Sequence, residues 1–164
     1  MIVSNSSPLI ALAAIGRLDL LREFFERVLI PPEVRLEVVE RGAGRAGAAE
    51  IARACWIEVR EVTRDALLRE LAIHVEPGEA QALALACEVS PDFLLVDDYQ
   101  AREKAKDLGV RVVGTVGVLV EAKRRGRLQT VKPSLDALRT LFAFRLADKL
   151  YRQVLDAAGE GSSS

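Results

Sequence analysis

Histidine occurs once and cysteine twice in 164 residues, aromatic side chains make up 5%, and neither sign of charge is in excess. Each scarcity excludes something. The single histidine, His74, falls in an expected surface loop ahead of Pro77-Gly78, so no Ser/His/Asp or Cys/His nucleophile can be assembled. Cys55 and Cys87 sit among apolar residues and read as buried thiols of a reducing compartment, not as a disulfide framework or a zinc site. Few aromatics leave little material for base stacking, so shape in a bound nucleic acid is the more natural determinant. With 23 Lys plus Arg against 24 Asp plus Glu the net charge is −1, and any surface for a polyanion has to be a local patch. No apolar run approaches the roughly 20 residues of a membrane span and no leader is evident, so a cytoplasmic protein without membrane contact is expected. Neither G-x-x-x-x-G-K-[ST] nor G-x-G-x-x-G occurs, and Gly114-Thr115-Val116-Gly117 is too short to cradle a diphosphate.

What is present is a core-forming composition, 50% hydrophobic and 29% charged. That balance belongs to globular chains rather than disordered ones. One domain is expected over residues 1–158, followed by a disordered tail over 159–164. Apolar runs at Ile2-Val3, Val28–Ile30, Trp56–Val59, Phe93–Val96 and Val110–Val113 read as strands, with 56–59 at an edge. They do not alternate, which suits a parallel sheet covered on both faces. Helical patterns fill the intervals. Ser6 or Ser7 caps a helix entered at Pro8, and Pro31-Pro32 starts another with Val34, Val38 and Val39 on one side. Pro77-Gly78-Glu79 opens an Ala-rich helix, Tyr99–Leu108 stops at Gly109, Val116–Arg125 follows, and 135–158 reads as two helices. Gly42 to Gly47 is a breaker-rich joint. The order β-α-α-β-α-α-β-α-α-β-α-β-α implies the α/β class, a three-layer α/β/α sandwich around a parallel sheet of about five strands joined by right-handed crossovers.

In such a sheet the site lies beyond the carboxyl ends of the strands. Those ends carry Ser4-Asn5-Ser6-Ser7, Asp97-Asp98 and Gly114-Thr115, while neighbouring helices carry Glu37 and Glu79. With the first and fourth strands adjacent, Asn5 and the Asp97-Asp98 pair share a crevice. Crowded carboxylates repel unless a cation joins them, and hard oxygen ligands select Mg²⁺ or Mn²⁺. Each residue also has an ordinary role. Glu79 complements a helix dipole, Glu37 has Arg35 and Arg41 nearby, and Asp98, Thr115, Asn5 and Ser6 suit caps and turns. Their weight comes from gathering at strand ends.

The stretch from Ser4 to Leu12, followed by Gly16-Arg17-Leu18-Asp19-Leu20-Leu21, resembles the opening of PIN-domain proteins, specifically the prokaryotic VapC-like nuclease branch. Pro31-Pro32 with Glu37, Pro77-Gly78-Glu79-Ala80, Leu95-Val96-Asp97-Asp98 with Ala101-Arg102, and Gly114-Thr115-Val116-Gly117-Val118-Leu119 follow in the same order. The resemblance spans about residues 1 to 130 and implies a PIN-like fold and a metal-dependent endoribonuclease, the toxin of a toxin–antitoxin pair. By position it implies Glu37, Glu79, Asp97 or Asp98, and Asn5 as holders of one or two Mg²⁺ or Mn²⁺ ions. Ser6 and Thr115 would assist by hydrogen bonding. It also implies an antitoxin partner and a homodimer, and for self-association the helix around Leu18, Leu21 and Phe24 offers apolar residues that core packing would equally use.

One position departs from the resemblance. The residue after the first strand is usually Asp in the family, and Asn5 brings an amide oxygen without a charge, which should weaken metal affinity. A rival expectation follows, a catalytically weak or inactive PIN-like protein kept for interaction. An RNA substrate needs positive charge, and Lys123-Arg124-Arg125-Gly126-Arg127 supplies four basic residues in five, with Arg102 on a second cluster. The same residues at helix ends would also serve the dipole and solubility.

Overall fold

The computed structural model describes residues 1–141 and 144–161. The chain forms two compact units, Met1–Gly114 and Thr115–Ser164. In the first, β1 (Ile2–Ser4), β2 (Val28–Ile30), β3 (Ile57–Val59), β4 (Phe93–Leu95) and β5 (Val112–Val113) form one all-parallel sheet in the order β3-β2-β1-β4-β5. β1 and β2 are buried throughout and β4 is buried beyond part-buried Phe93, with Ile2, Val3 and Leu95 fully so. Only the edge strand β3 is largely exposed, as expected for the run placed at an edge. Register pairs Ser4 with Leu95, and the Asn5 amide donates to the Leu95 carbonyl at 3.0 Å. The chain leaves β1 toward β2 on one side while β4 lies on the other. That junction is the topological switch point, where such sheets open a crevice.

Helices α1 (Ser6–Ala14), α2 (Asp19–Phe24), α3 (Pro32–Arg35), α4 (Ala48–Arg53), α5 (Asp65–Leu71), α6 (Pro77–Val89) and α7 (Tyr99–Asp107) flank the sheet. Right-handed crossovers put those following β1 and β2 on one face and those following β3 and β4 on the other. Most of the packing agrees, since α1 touches α4 while α6 touches both α5 and α7; α3 in addition meets α6, where the Glu33 amide donates to Gln81 Oε1 at 3.0 Å. Alanines 80, 82, 84 and 86 are essentially buried in α6, and their small side chains let this helix lie close on β1 and β4. Leu18 and Leu21 belong to the interior, whereas Phe24 is only part-buried.

Three local details differ from the sequence reading. The α1 cap is Asn5, whose Oδ1 accepts from the Ser6 amide at 2.7 Å, and the helix already begins at Ser6. β5 starts only at Val112, because the Val110 amide bonds the Ala105 carbonyl at 2.8 Å and so closes the end of α7. Residues in a helix-terminal wrap of that kind are withdrawn from the ladder. Neither cysteine is a buried thiol: Cys55 is exposed and Cys87 is part-buried, with burial raising the Cys87 pKa. Cys55 lies just ahead of the exposed edge strand, where apolar neighbours in sequence do not amount to a core.

The second unit contains α8 (Thr115–Arg124), α9 (Lys132–Arg139) and α10 (Asp148–Ala157). Glu160 lies in the segment expected to be a loose tail, yet its carboxylate accepts from Lys123 Nζ at 2.6 Å and from the Val131 and Lys132 amides at 2.8 and 2.9 Å. Burial pushes its pKa up, but the Lys123 ammonium and the two amides outweigh this and hold it below the usual range. Hydrogen bonds to a charged group contribute about 1.5–3 kcal/mol. Glu160→Ala should therefore cost about 2 kcal/mol in a urea melt. The difference should shrink as pH falls through the Glu160 pKa, since a depressed carboxyl contributes only while ionised. Residues 162–164 lie outside the described part of the chain. Among the described residues no helix is long and apolar enough to cross a membrane.

Candidate functional site

Glu79 is the hub of the crevice at the carboxyl ends of β1 and β4. It sits in the first turn of α6 and forms a capping box with Glu76, each carboxylate accepting from the other's backbone N–H. Glu79 Oε2 lies 3.2 Å from the Glu76 amide, and Asn5 Nδ2 donates to Glu79 Oε1 at 3.5 Å. Desolvation pushes its pKa up to about 7, with the charge of Asp98 next and those of Glu76 and Glu37 adding to it, against the lowering effect of the Glu76 amide. Three carboxylates from three separate elements thus make ionisation of the fourth unfavourable.

Glu37 arrives from a different direction. Helix α3 passes into a π-helical turn over Leu36–Glu40, an extra-residue widening found frequently at functional sites. Val34 and Val38 stay buried on its inner side. The Glu37 carboxylate accepts from the Ser6 hydroxyl and rests against the backbone of Gly78, where a Cβ would stand 2.5 Å from both of its oxygens. Gly78 is therefore the seat of Glu37, and a glycine read only as a helix opener carries that second task.

The two aspartates after β4 diverge. Asp98 caps α7, its Oδ1 accepting from the Ala101 amide at 2.9 Å. Asp97 turns toward Gly114, where a Cβ would meet both Asp97 Oδ1 and Arg102 Nη1 at 2.9 Å. Arg102 folds back to donate from Nη1 to the Val96 carbonyl at 3.1 Å, which holds its guanidinium at the end of β4. In the second unit Thr115 opens α8 fully buried. Further along that helix, Arg124 and Arg125 both pair with Glu121, whose pKa their hydrogen bonds pull down to about 2. Lys123 reaches Glu160 and the Ala158 carbonyl, and Arg127 follows in an exposed turn.

Glu37, Glu79 and Asp98 therefore share an electrostatic neighbourhood, but among the described residues no three His, Cys, Asp or Glu side chains close on a point that would hold a metal. The reason is local. Ser6 holds Glu37, the Ala101 amide holds Asp98, and the oxygen of Asn5 is spent on its cap. In kind the donors fit a hard divalent cation, being oxygen atoms in excess negative charge around a carboxyl that burial and its neighbours make reluctant to ionise. Side-chain rotations at Glu37, Glu79 and Asp98 would have to complete the set. Glu76 has no place in the sequence reading, and Gly78 and Gly114 appear there only as a helix opener and a strand end; what packs on each was not visible.

No curated protein gives a match to this sequence. A family model described as a PIN domain does match, over residues 1–160, which takes in every candidate residue above. With an all-parallel sheet flanked by helices and acidic side chains collected at its switch point, the chain belongs to the PIN-domain family.

Proposed function

We propose that this protein is a divalent-metal-dependent endoribonuclease of the VapC-like branch, acting as the toxin of a cytoplasmic toxin–antitoxin pair. PIN domains are generally nucleases that act on RNA or DNA and use divalent metals. The observation that carries the reading is the crowding of Glu37, Glu79 and Asp98 at the carboxyl ends of β1 and β4. Glu37, Glu79 and one of Asp97 and Asp98 would hold Mg²⁺ or Mn²⁺. When bound, the cation supplies a Lewis acid for the phosphodiester and a water of lowered pKa. The chain's own groups orient this centre: the Ser6 hydroxyl and the Gly78 backbone fix Glu37, Asn5 Nδ2 steadies Glu79, and Arg102 sets positive charge near Asp97. Two arginines sharing the single acid Glu121 on α8 leave a local positive excess for the strand. Exposed ion pairs of that kind are weak in water, so phosphates compete for them. An antitoxin, and a second copy of the chain, are the protein partners this reading carries.

A second reading is favoured by one specific feature, the use of Asn5 Oδ1 as a helix cap where the family places a carboxylate. In it the fold is kept for interaction and chemistry is weak. Cleavage of a structured single-stranded RNA in Mn²⁺, Mg²⁺ and EDTA separates the two. The nuclease reading expects metal-dependent cutting that falls at least about 100-fold in an Asp97→Asn/Asp98→Asn double variant. Rates in the double variant and in EDTA equal to that of the wild type in Mn²⁺ would leave the interaction reading.

A further inference from the structure

We propose that the cavity between the end of α6, the start of α5 and the turn from α7 into β5 binds a small molecule with an apolar body and one anionic head. It lies before the amino ends of β4 and β5, at the opposite end of the sheet from the carboxylate crevice, and shares no residue with that site. The proposal therefore does not rest on the nuclease reading. The volume is about 410 Å³, within the roughly 300–1,000 Å³ that small-ligand sites occupy.

Charge in this cavity is of one sign. Arg64 and Arg111 line it, and among the described lining residues there is no acid. The neighbouring acids are held elsewhere. Glu88 accepts from the Thr63 and Arg64 amides at 2.7 Å each, and Asp92, which also feels the Arg111 charge, accepts from the N-terminal ammonium at 2.6 Å. Burial raises the Cys87 pKa, the Arg64 charge opposes that rise and the Glu88 charge adds to it, so the Arg64 guanidinium stands within electrostatic reach of the sulfur. Among the described residues neither guanidinium donates a hydrogen bond; Arg111 rests its Cζ 5.0 Å from the centre of the Phe93 ring, a contact that uses no N–H. Helix electrostatics do not account for Arg64, which caps the N-terminus of α5, an end where a cation is unfavourable.

The other half of the lining is apolar. Leu67, Leu108 and Val110 are part-buried and pack on the core from one side, while the other side borders the cavity. Ser90 adds a hydroxyl where α6 ends, at a φ of +47° that no other described non-glycine residue shares in sign. Guanidinium forks match the oxygens of a carboxylate or phosphate, and the apolar wall gains by covering hydrocarbon. An inorganic anion meets only the first requirement and a neutral hydrocarbon only the second.

Cys87 reports on occupancy in the full chain. Cys55 is exposed, so Cys55→Ser leaves Cys87 as the one thiol. Its alkylation by neutral iodoacetamide is followed with millimolar hexanoate, hexyl phosphate, hexanol or acetate at matched ionic strength. Hexanoate or hexyl phosphate should slow alkylation several-fold, the better of the two naming the head group, while hexanol and acetate leave it nearly unchanged. Arg64→Gln/Arg111→Gln should lose the protection with the thermal midpoint of the free protein unmoved, since both side chains are exposed and neither makes a hydrogen bond. Should the pair destabilise the fold, Arg64→Gln alone should still weaken protection several-fold. The better anion should also shift the Ser90 and Val110 amide signals of ¹⁵N-labelled protein. Protection by hexanol equal to that by the anions, full protection in the arginine variants, or neither protection nor shifts with either anion overturns the proposal.

Discussion

Glu79→Gln is expected to make the metal-free protein more stable at pH 8, to leave it nearly unchanged below about pH 4, and to abolish both Mn²⁺-induced stabilisation and RNA cleavage. The sign comes from linkage. Glu79 has a folded-state pKa of about 7, raised by desolvation and by Asp98, against 4.5 for a free carboxyl. The folded state therefore binds more protons than the unfolded state between about pH 4.5 and 7, and stability falls as pH rises through that window. Above it the full cost is present; below it Glu79 is neutral in both states. A shift of that size corresponds at full weight to about 3 kcal/mol. Glu79 is only half-buried, and solvent screening leaves about 1–2 kcal/mol. Glutamine keeps one acceptor oxygen, which can serve the Glu76 amide at 3.2 Å, so the capping box survives and the difference is the charge together with the long 3.5 Å bond from Asn5. A ligand at roughly a hundredfold excess over its Kd stabilises by about 2.7 kcal/mol. Wild type should show a gain of that order in Mn²⁺ melts and the variant none, with cleavage falling at least about 100-fold. An unchanged Mn²⁺ response in the variant would remove Glu79 from the ligand set.

How far such a site can be read from sequence depends on which side of a contact is written in the residue type. The apolar runs of β1, β2 and β4 named themselves because a strand covered on both faces has no reason to alternate. Pro32 and Asp98 marked helix starts for reasons internal to a few residues, a missing N–H and a side-chain acceptor. From those elements the switch point followed, and with it the neighbourhood of Asn5, Glu37, Glu79 and the aspartates. Side-chain aim did not follow. Asp97 and Asp98 are alike in sequence, yet the Ala101 amide claims one and the absence of a Cβ at Gly114 admits the other. Arg102 looked like a free cation for RNA, but a carbonyl at the end of β4 takes it. Asn5 looked like a ligand short of a charge; its oxygen instead closes α1 and its nitrogen faces Glu79. In each case a backbone group decides, and although those of Ser6, Val96 and Ala101 lie close in the chain, backbone groups have no signature in the residue letters.

Gly47→Ala should be among the most damaging single substitutions in the first unit, costing about 3 kcal/mol in a denaturant melt. Two independent penalties meet there. Gly47 caps α4 with φ of +86°, a left-handed conformation that costs an L side chain roughly 1–2 kcal/mol. Its missing Cβ also allows α1 to come close, since a methyl would stand 2.5 Å from the Ala13 Cβ and 3.2 Å from the Ala14 nitrogen. Overpacking of that kind costs typically about 1–3 kcal/mol. Neither neighbour is the end of a flexible chain, so the two helices have to move apart. Gly16→Ala provides the control. Gly16 also has a left-handed φ, +69°, but nothing lies within 4 Å of its absent Cβ. It should lose only the backbone penalty, about 1–2 kcal/mol. The difference between the two variants measures the contact between α1 and α4 alone, and equal losses would mean that this contact yields without cost. The consequence reaches the site through α4, which packs on α1 and on the π-helical turn alike. Asn5 and Ser6 stand at the head of α1, and Glu37 rides on that turn. A shift of α4 should therefore loosen the Ser6–Glu37 bond before the sheet itself unfolds, and hydrogen exchange in Gly47→Ala should rise first over residues 36–53.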